Sequence, residues 1–205
     1  MQEKHKTLVS TNALAQRLHT KAATVTDMLR KLHRKELVEY QPYHGAKISK
    51  LGQVQAIRIV RKHRLWETFL VEKLGFSWDE VHDIAEQLEH IQSPALTQRL
   101  EAFLGHPQFD PHGDPIPNKN GQFPAAEHQL LSAAREGTSV QIKAVNDRNS
   151  DFLKYLANLH FKLGDILHIE KIESFDQSLR VKHQDQSVQL SATAAANIYI
   201  KPLEK

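Results

Sequence analysis

The sequence predicts an α+β chain in three parts: a small helical unit ending in a β-hairpin, an all-α middle, and a C-terminal small barrel of short strands. Three observations predict it. Apolar residues recur at helical spacing through roughly the first hundred positions. From Ser139 onward they alternate in short runs divided by turn residues. The charge also divides: residues 1–65 hold 14 Lys/Arg and 4 Asp/Glu, and residues 66–205 hold 13 and 20. A basic segment on an acidic remainder points to a polyanion-binding part joined to a regulatory body. A solvated basic helix surface gives the same count.

The bulk composition narrows the class. Hydrophobic residues make up 40% and charged residues 25% of 205 residues, an ordinary soluble balance. Cysteine is absent, which excludes a disulfide framework and a thiolate metal site. No apolar run is long enough to span a bilayer, and MQEKHKTLVS lacks the apolar core of a secretory signal. The expectation is a cytoplasmic protein with no membrane partner.

Ser10 is a good N-cap before TNALAQRL, whose Leu14 and Leu18 share one side. After a break at His19 and Thr20, KAATVTDMLRKLHRKEL places Val25, Met28, Leu29 and Leu32 at helical spacing, facing a core. Two short helices across a tight turn make a helix-turn-helix. Leu37 to Tyr40 reads as a strand, Gln41 to Gly45 as a turn and Ala46 to Ile48 as the return strand, which completes a winged helix over residues 1–55. The second helix then enters a DNA major groove with its N-terminal end foremost. Lys21 suits a phosphate; Thr24 and Thr26 suit phosphates, base edges or a thymine methyl. Asp27 accepts from a cytosine amine or limits nonspecific affinity. Tyr43, His44 and Lys47 on the wing reach the backbone. The same residues also serve as plain polar surface, and charge and topology together favour DNA contact.

Residues 56–124 form the middle. A helix runs from Gln53 to Leu74 and stops at Gly75. VHDIAEQLEHI is the next, and Ser93-Pro94 opens a third, ended by Gly105. His82, Glu86, Glu89 and His90 fan over one side of the second helix, opposite Val81, Ile84, Leu88 and Ile91. Amphipathicity alone accounts for that face. Yet histidine is unusual on a merely solvated face, Glu86 and His90 have chelate spacing, and His63 and Glu67 repeat a His/Glu pair at i and i+4 on the preceding helix. HExxH, HxxEH, GxGxxG, the P-loop and GxSxG are all absent, which argues against an enzyme and a small-molecule substrate.

Residues 106–124, rich in Pro, Gly and Asn, read as an ordered linker. Its His106 and His112 read as ordinary loop histidines rather than ligands. In the last part, residues 125–205, Ala125 to Glu136 is expected to be a short helix. SVQIKAV, DILHIEKI, SLRVKH, SVQLS and NIYIKPL read as strands, with a helix near SDFLKYLANL.

The order winged helix, RKHRLWE (61–67), VHDIAEQLEH (81–90) and DPHGDPIP (110–117) resembles the diphtheria-toxin-repressor family of metal-dependent transcriptional repressors, over nearly the whole chain. The resemblance implies a homodimer built through the central helices, with two metal sites per subunit. It also implies a palindromic DNA operator, fitted by the paired recognition helices once metal orders the subunit. His63, Glu67 and His82 match the ancillary site; Glu86, Glu89 and His90 match the primary, activating one. Iron-type members carry cysteine at the position of Glu86, and manganese-type members carry glutamate. A hard carboxylate in place of a soft thiolate favours Mn(II), while Fe(II) also binds such N/O sites and outranks Mn(II) in intrinsic affinity. The C-terminal part resembles the SH3-like, FeoA-type domain of longer members, which lends a ligand to the ancillary site. Asp151 is the nearest match and Asp147 the second; either also suits a helix cap. Family members usually open with a helix carrying a Met, Asp or Glu that completes the primary site. This sequence starts within or just after the end of that helix, so the expectation is a primary site lacking that ligand. The competing expectation is a winged-helix regulator whose His/Glu cluster is structural and which answers to a non-metal ligand or a protein partner.

Overall fold

The computed structural model describes residues 8–203. The expectation of a shortened first helix bears on residues outside that range. The chain forms two compact units, residues 1–59 and 60–205.

In the first unit Ser10 caps helix α1 (Thr11–Arg17), its side chain accepting from Ala13 N at 3.1 Å. Helix α2 (Ala22–Arg34) follows a tight turn in which His19 has a positive φ of 48°. Strands β1 (Val38–Gln41) and β2 (Gly45–Ile48) pair as the antiparallel wing, and Val9 bridges to Ala46. Ala15, Val25, Leu29 and Ala46 form the core of this unit. Met28, expected inside, is 44% exposed. At about 100° per residue, Leu29 and Leu32 fall within roughly 40° of Val25, whereas Met28 falls about 60° to one side. Leu18, at the C-cap of α1, is also exposed.

Helix α3 (Lys50–Leu74) starts three residues before the expected Gln53. Ser49 explains the early start: its Oγ accepts from Gly52 N at 2.9 Å, and its carbonyl accepts from Gln53 N at 2.9 Å. Gly52 is required there, because a Cβ would sit 1.9 Å from the Leu37 carbonyl oxygen.

In the second unit, the later part of α3 packs with helices α4 (Val81–Leu88) and α5 (Pro94–Phe103) through Leu65, Trp66, Leu70, Val81, Ala85 and Leu100. Ser93 caps α5, with Pro94 in its first turn. Helix α4 ends sooner than its apolar spacing predicts, so Glu89 is its C-cap and His90 lies on the turn beyond. The linker is ordered, as expected: Phe109 bridges to Pro115, and Arg61 Nη1 donates to the Pro117 carbonyl at 2.9 Å.

The expected helix over Ala125–Glu136 does not form. Strand β3 (Gln129–Leu130) and a 3-10 turn (Leu131–Ala133) stand there instead. Leu130 pairs with Tyr199, and Leu131 is fully buried in the core, so tertiary pairing overrides helix propensity. Strands β4 (Ser139–Val145), β5 (Ile166–Ile172), β6 (Leu179–His183), β7 (Gln186–Leu190) and β8 (Ile198–Pro202) complete an antiparallel sheet of order β3-β8-β4-β5-β6-β7. Helix α6 (Ser150–Asn158) follows β4, and α7 (Ala192–Ala195) precedes β8. Inward residues alternate along the strands, as Val140, Ile142, Leu167, Ile169, Val181 and Ile200 show. Register shifts between Ile142 and Ala144 and between Ile169 and Lys171 bend the sheet around this core. Among the described residues no helix is long and apolar enough to cross a membrane.

Candidate metal centre

Helical spacing on α3 sets His63 and Glu67 one turn apart, and α4 brings His82 to them. His63 Nε2 lies 3.0 Å from Glu67 Oε1 and 3.2 Å from His82 Nδ1, and its Nδ1 lies 2.8 Å from Glu89 Oε2. His82 Nδ1 lies 3.5 Å from Glu67 Oε1. Burial would raise the Glu67 carboxyl, but hydrogen bonds from His63 and His82 outweigh it and hold it at about 2. Burial works against the His63 imidazolium, yet Glu67 and Glu89 raise its pKa, and the hydrogen bond to Glu67 raises that of His82.

Glu67 is fully buried, and its second oxygen, Oε2, faces away from the two histidines and has no hydrogen-bond partner. There it meets His112 Nδ1 at 3.9 Å. His112 is also fully buried; its Nε2 donates to the Trp78 carbonyl at 2.7 Å, which fixes the tautomer and leaves Nδ1 as a lone pair. That lone pair lies 4.0 Å from Asp110 Oδ1 as well. Burial first, then the charges of Glu67 and Asp114, push the Asp110 carboxyl well above its usual range. Glu67, His112 and Asp147 each offer a ligand atom within 4.8 Å of the others, as do His63, Glu67 and His82. The orphaned Glu67 Oε2 and His112 Nδ1 are acceptors facing each other, an arrangement that calls for a cation or a proton between them, whereas Asp110 Oδ2 lies 3.5 Å from Arg64 Nε. This all-N/O donor set fits a divalent metal such as Mn(II) or Fe(II).

The linker is held against this centre. Arg64 Nη2 donates to Asp114 Oδ2 at 2.7 Å, and Arg64 Nη1 donates to the Pro115 carbonyl. Asp110 Oδ1 accepts from His112 N at 2.9 Å and Asp114 N at 3.0 Å. Val145 N donates to the His112 carbonyl at 2.9 Å, which ties the loop to β4 and brings Asp147 alongside.

The structure therefore brings together His63 and Glu67, as their spacing predicted, adds His82 to them, as the family resemblance implied, and sets Glu89 against His63 rather than with Glu86 and His90. Those two are exposed and belong to neither donor group. Asp151 sits exposed in the first turn of α6, outside both groups, and Asp147 stands in the cluster. Sequence reasoning missed Asp110 and set His112 aside as an ordinary loop histidine. The signal was DPHGDP itself, a histidine between two aspartates in a rigid Pro/Gly turn.

In the first unit Lys21, Thr24 and Asp27 are exposed at the start of α2, while Thr26 is half-buried and its hydroxyl donates to the Ala22 carbonyl at 2.9 Å. On the wing Tyr43 projects fully into solvent with φ 65°, His44 is exposed, and Lys47 pairs with Glu39 at 2.8 Å.

A helix-turn-helix with a wing, followed by a buried cluster of imidazoles and carboxylates, defines a class: DNA-binding regulators governed by a metal ion. The comparisons agree. Residues 1–46 match the iron-dependent repressor N-terminal DNA-binding domain, residues 49–118 its metal-binding and dimerisation domain, and residues 129–202 the FeoA domain. The structure resembles a manganese-dependent transcriptional repressor in complex with manganese, with TM-score 0.84, 37% identity, and coverage of 99% of this chain and 93% of that one. It also resembles the manganese regulator SloR, with TM-score 0.76, 33% identity, and coverage of 95% and 90%. The iron-dependent repressor IdeR of Mycobacterium leprae is 35% identical over 104 residues, 51% of this chain and 45% of that protein. The chain spans about half the length of the curated relatives it matches. It belongs to the diphtheria-toxin-repressor family of metal-dependent transcriptional regulators, a family of DNA-binding repressors rather than enzymes.

Proposed function

We propose that the chain is a metal-sensing repressor. As a homodimer it binds a palindromic operator when Mn(II), or alternatively Fe(II), fills its His/carboxylate cluster, and it controls genes of metal-ion homeostasis in the cytoplasm. The observation that carries this reading is Glu67, a buried carboxylate whose two oxygens face two different sets of donors. His63, Glu67 and His82 hold one position; His112 and Asp147 offer a second on the far side of Glu67. Asp147 takes the part expected of Asp151. Glu86, Glu89 and His90 form the activating site only once the ion arrives: Glu89, held by His63 at 2.8 Å, turns to join the exposed Glu86 and His90. When bound, the ion supplies fixed positive charge and directional bonds. The residues do the rest: they join α3, α4 and the 110–117 loop, and so restrict the second unit to fewer arrangements. Metal affinity and DNA affinity are then linked, each raising the other.

Leu74, Leu96 and Phe103 leave apolar surface in water on α3 and α5, and a second copy of the chain covers it. Lys21 and the wing residues Tyr43, His44 and Lys47 grip phosphates, Thr24 faces base edges, Thr26 offers its methyl because its hydroxyl is tied to the Ala22 carbonyl, and Asp27 limits nonspecific affinity. The test is calorimetric titration of the metal-free chain with Mn(II). A saturable site in the micromolar range that is lost in Glu67→Ala supports the reading; no such site favours a structural cluster and a non-metal ligand.

A further inference from the structure

Asp27 is out of place on the helix that carries it. It is the one acidic residue of α2, whose other charged or titratable side chains are Arg30, Lys31, His33 and Arg34. A carboxylate on a phosphate-facing surface weakens nonspecific attraction to DNA. It contributes little to folding either, since Arg30 Nη1 lies 3.6 Å from Asp27 Oδ1 and the two side chains are 64% and 70% exposed. Asp27 also lines a shallow hollow on the exposed face, with Ala23, Thr24, Met28 and Lys31. The first two helical residues, Ala22 and Ala23, are small and exposed, so they let this face approach a groove floor closely.

The contact with Asp27 uses Nη1 of Arg30, which leaves the Nε–Nη2 edge of the guanidinium free. That edge is a rigid pair of donors with no acceptor. In the major groove only guanine offers two adjacent acceptors, N7 and O6, to such a pair. We propose that Arg30 reads a guanine in each operator half-site and that Asp27 is the positioning residue that holds its fork. This inference rests on the repressor reading and adds to it a base, a reader and a support.

The test is selection of duplexes from a random-sequence pool by the full chain loaded with Mn(II), for the wild type, Arg30→Lys, Arg30→Ala and Asp27→Asn. Thermal melting of each variant checks that it is folded. The wild type is expected to recover a two-fold symmetric motif with guanine at one fixed place in each half. Both Arg30 variants lose the preference at that place by about tenfold to a hundredfold, and the remaining positions of the motif persist. Arg30→Lys keeps the charge and loses the fork, so it separates base reading from phosphate attraction. Asp27→Asn weakens the preference at the same place and nowhere else. The proposal is overturned if the Arg30 variants recover the guanine undiminished, or if they weaken every position equally, as a phosphate contact does. It is also overturned if Asp27→Asn alters a different position, which makes Asp27 a reader in its own right. A wild-type chain that recovers no motif overturns the repressor reading, and this inference with it.

Discussion

Glu67 turns one oxygen to His63 and His82 and the other to His112, and the chemistry of the centre follows from that single side chain. Its carboxylate is held ionised at about 2, while hydrogen bonds to Glu67 raise His63 and His82 above the ordinary imidazole range. In the metal-free chain these histidines therefore carry protons to a higher pH than free imidazoles do, and metal uptake must release them. The sign follows: Mn(II) affinity is full above the raised values and falls as pH drops through them. Calorimetry from about pH 8 to about pH 6, repeated in buffers of different ionisation enthalpy, should show weakening affinity with proton release; a flat profile contradicts it. His112→Ala should lower Mn(II) affinity by at least about tenfold, the loss caused even by removing a residue behind a ligand, and the same titration reads it. His63 and Glu67 were legible because helical spacing puts i and i+4 on one face, and His82 was joined to them only through the family resemblance. His112 and Asp110 were not legible, and Asp147 was only the second candidate behind Asp151, because their convergence on Glu67 depends on a loop folding back onto β4, and no local period records that.

The 110–117 loop is the element on which this convergence depends. Gly113 has φ +86°, and a Cβ there would lie 2.1 Å from the Lys143 carbonyl oxygen of β4. Gly113→Ala should cost roughly 1–3 kcal/mol from backbone strain alone, read as a lower melting temperature, and it should displace His112 from the cluster. Arg64 holds the same loop through Asp114 and Pro115. Arg64→Ala should reduce Mn(II) affinity by about tenfold to a hundredfold without removing a ligand; unchanged affinity would show that the loop keeps its place unaided. Elements with strong local signals were readable: Ser10 and Ser93 cap helices, and Gly75 and Gly105 close them. Residues 125–136 were misread because Leu130 and Leu131 owe their conformation to β8 and the sheet core rather than to their neighbours in sequence. Helix α4 was drawn too long for a related reason: its apolar spacing continues to Ile91 although the helix ends at Leu88. That early end lets Glu89 face His63 while Glu86 and His90 remain in solvent.

At the scale of the molecule, the charge split that opened the sequence falls close to the division into two units at Ile59. The basic first unit carries the wing and α2, so DNA affinity should fall steeply with salt, through counterion release. Lys21→Ala should make that slope shallower by about one unit of log affinity per log salt. The proposed homodimer would cover the exposed apolar residues of α3 and α5, and sedimentation of Phe103→Glu should then show a shift toward monomer. The central claim is that metal occupancy of the second unit sets the DNA affinity of the first. The most direct measurement is fluorescence anisotropy of a labelled duplex recovered by selection from a random pool, titrated with the metal-free chain and with the Mn(II)-loaded chain. The account predicts a strong gain in affinity with Mn(II) that Glu89→Ala and His90→Ala remove. Equal binding with and without the metal would contradict it.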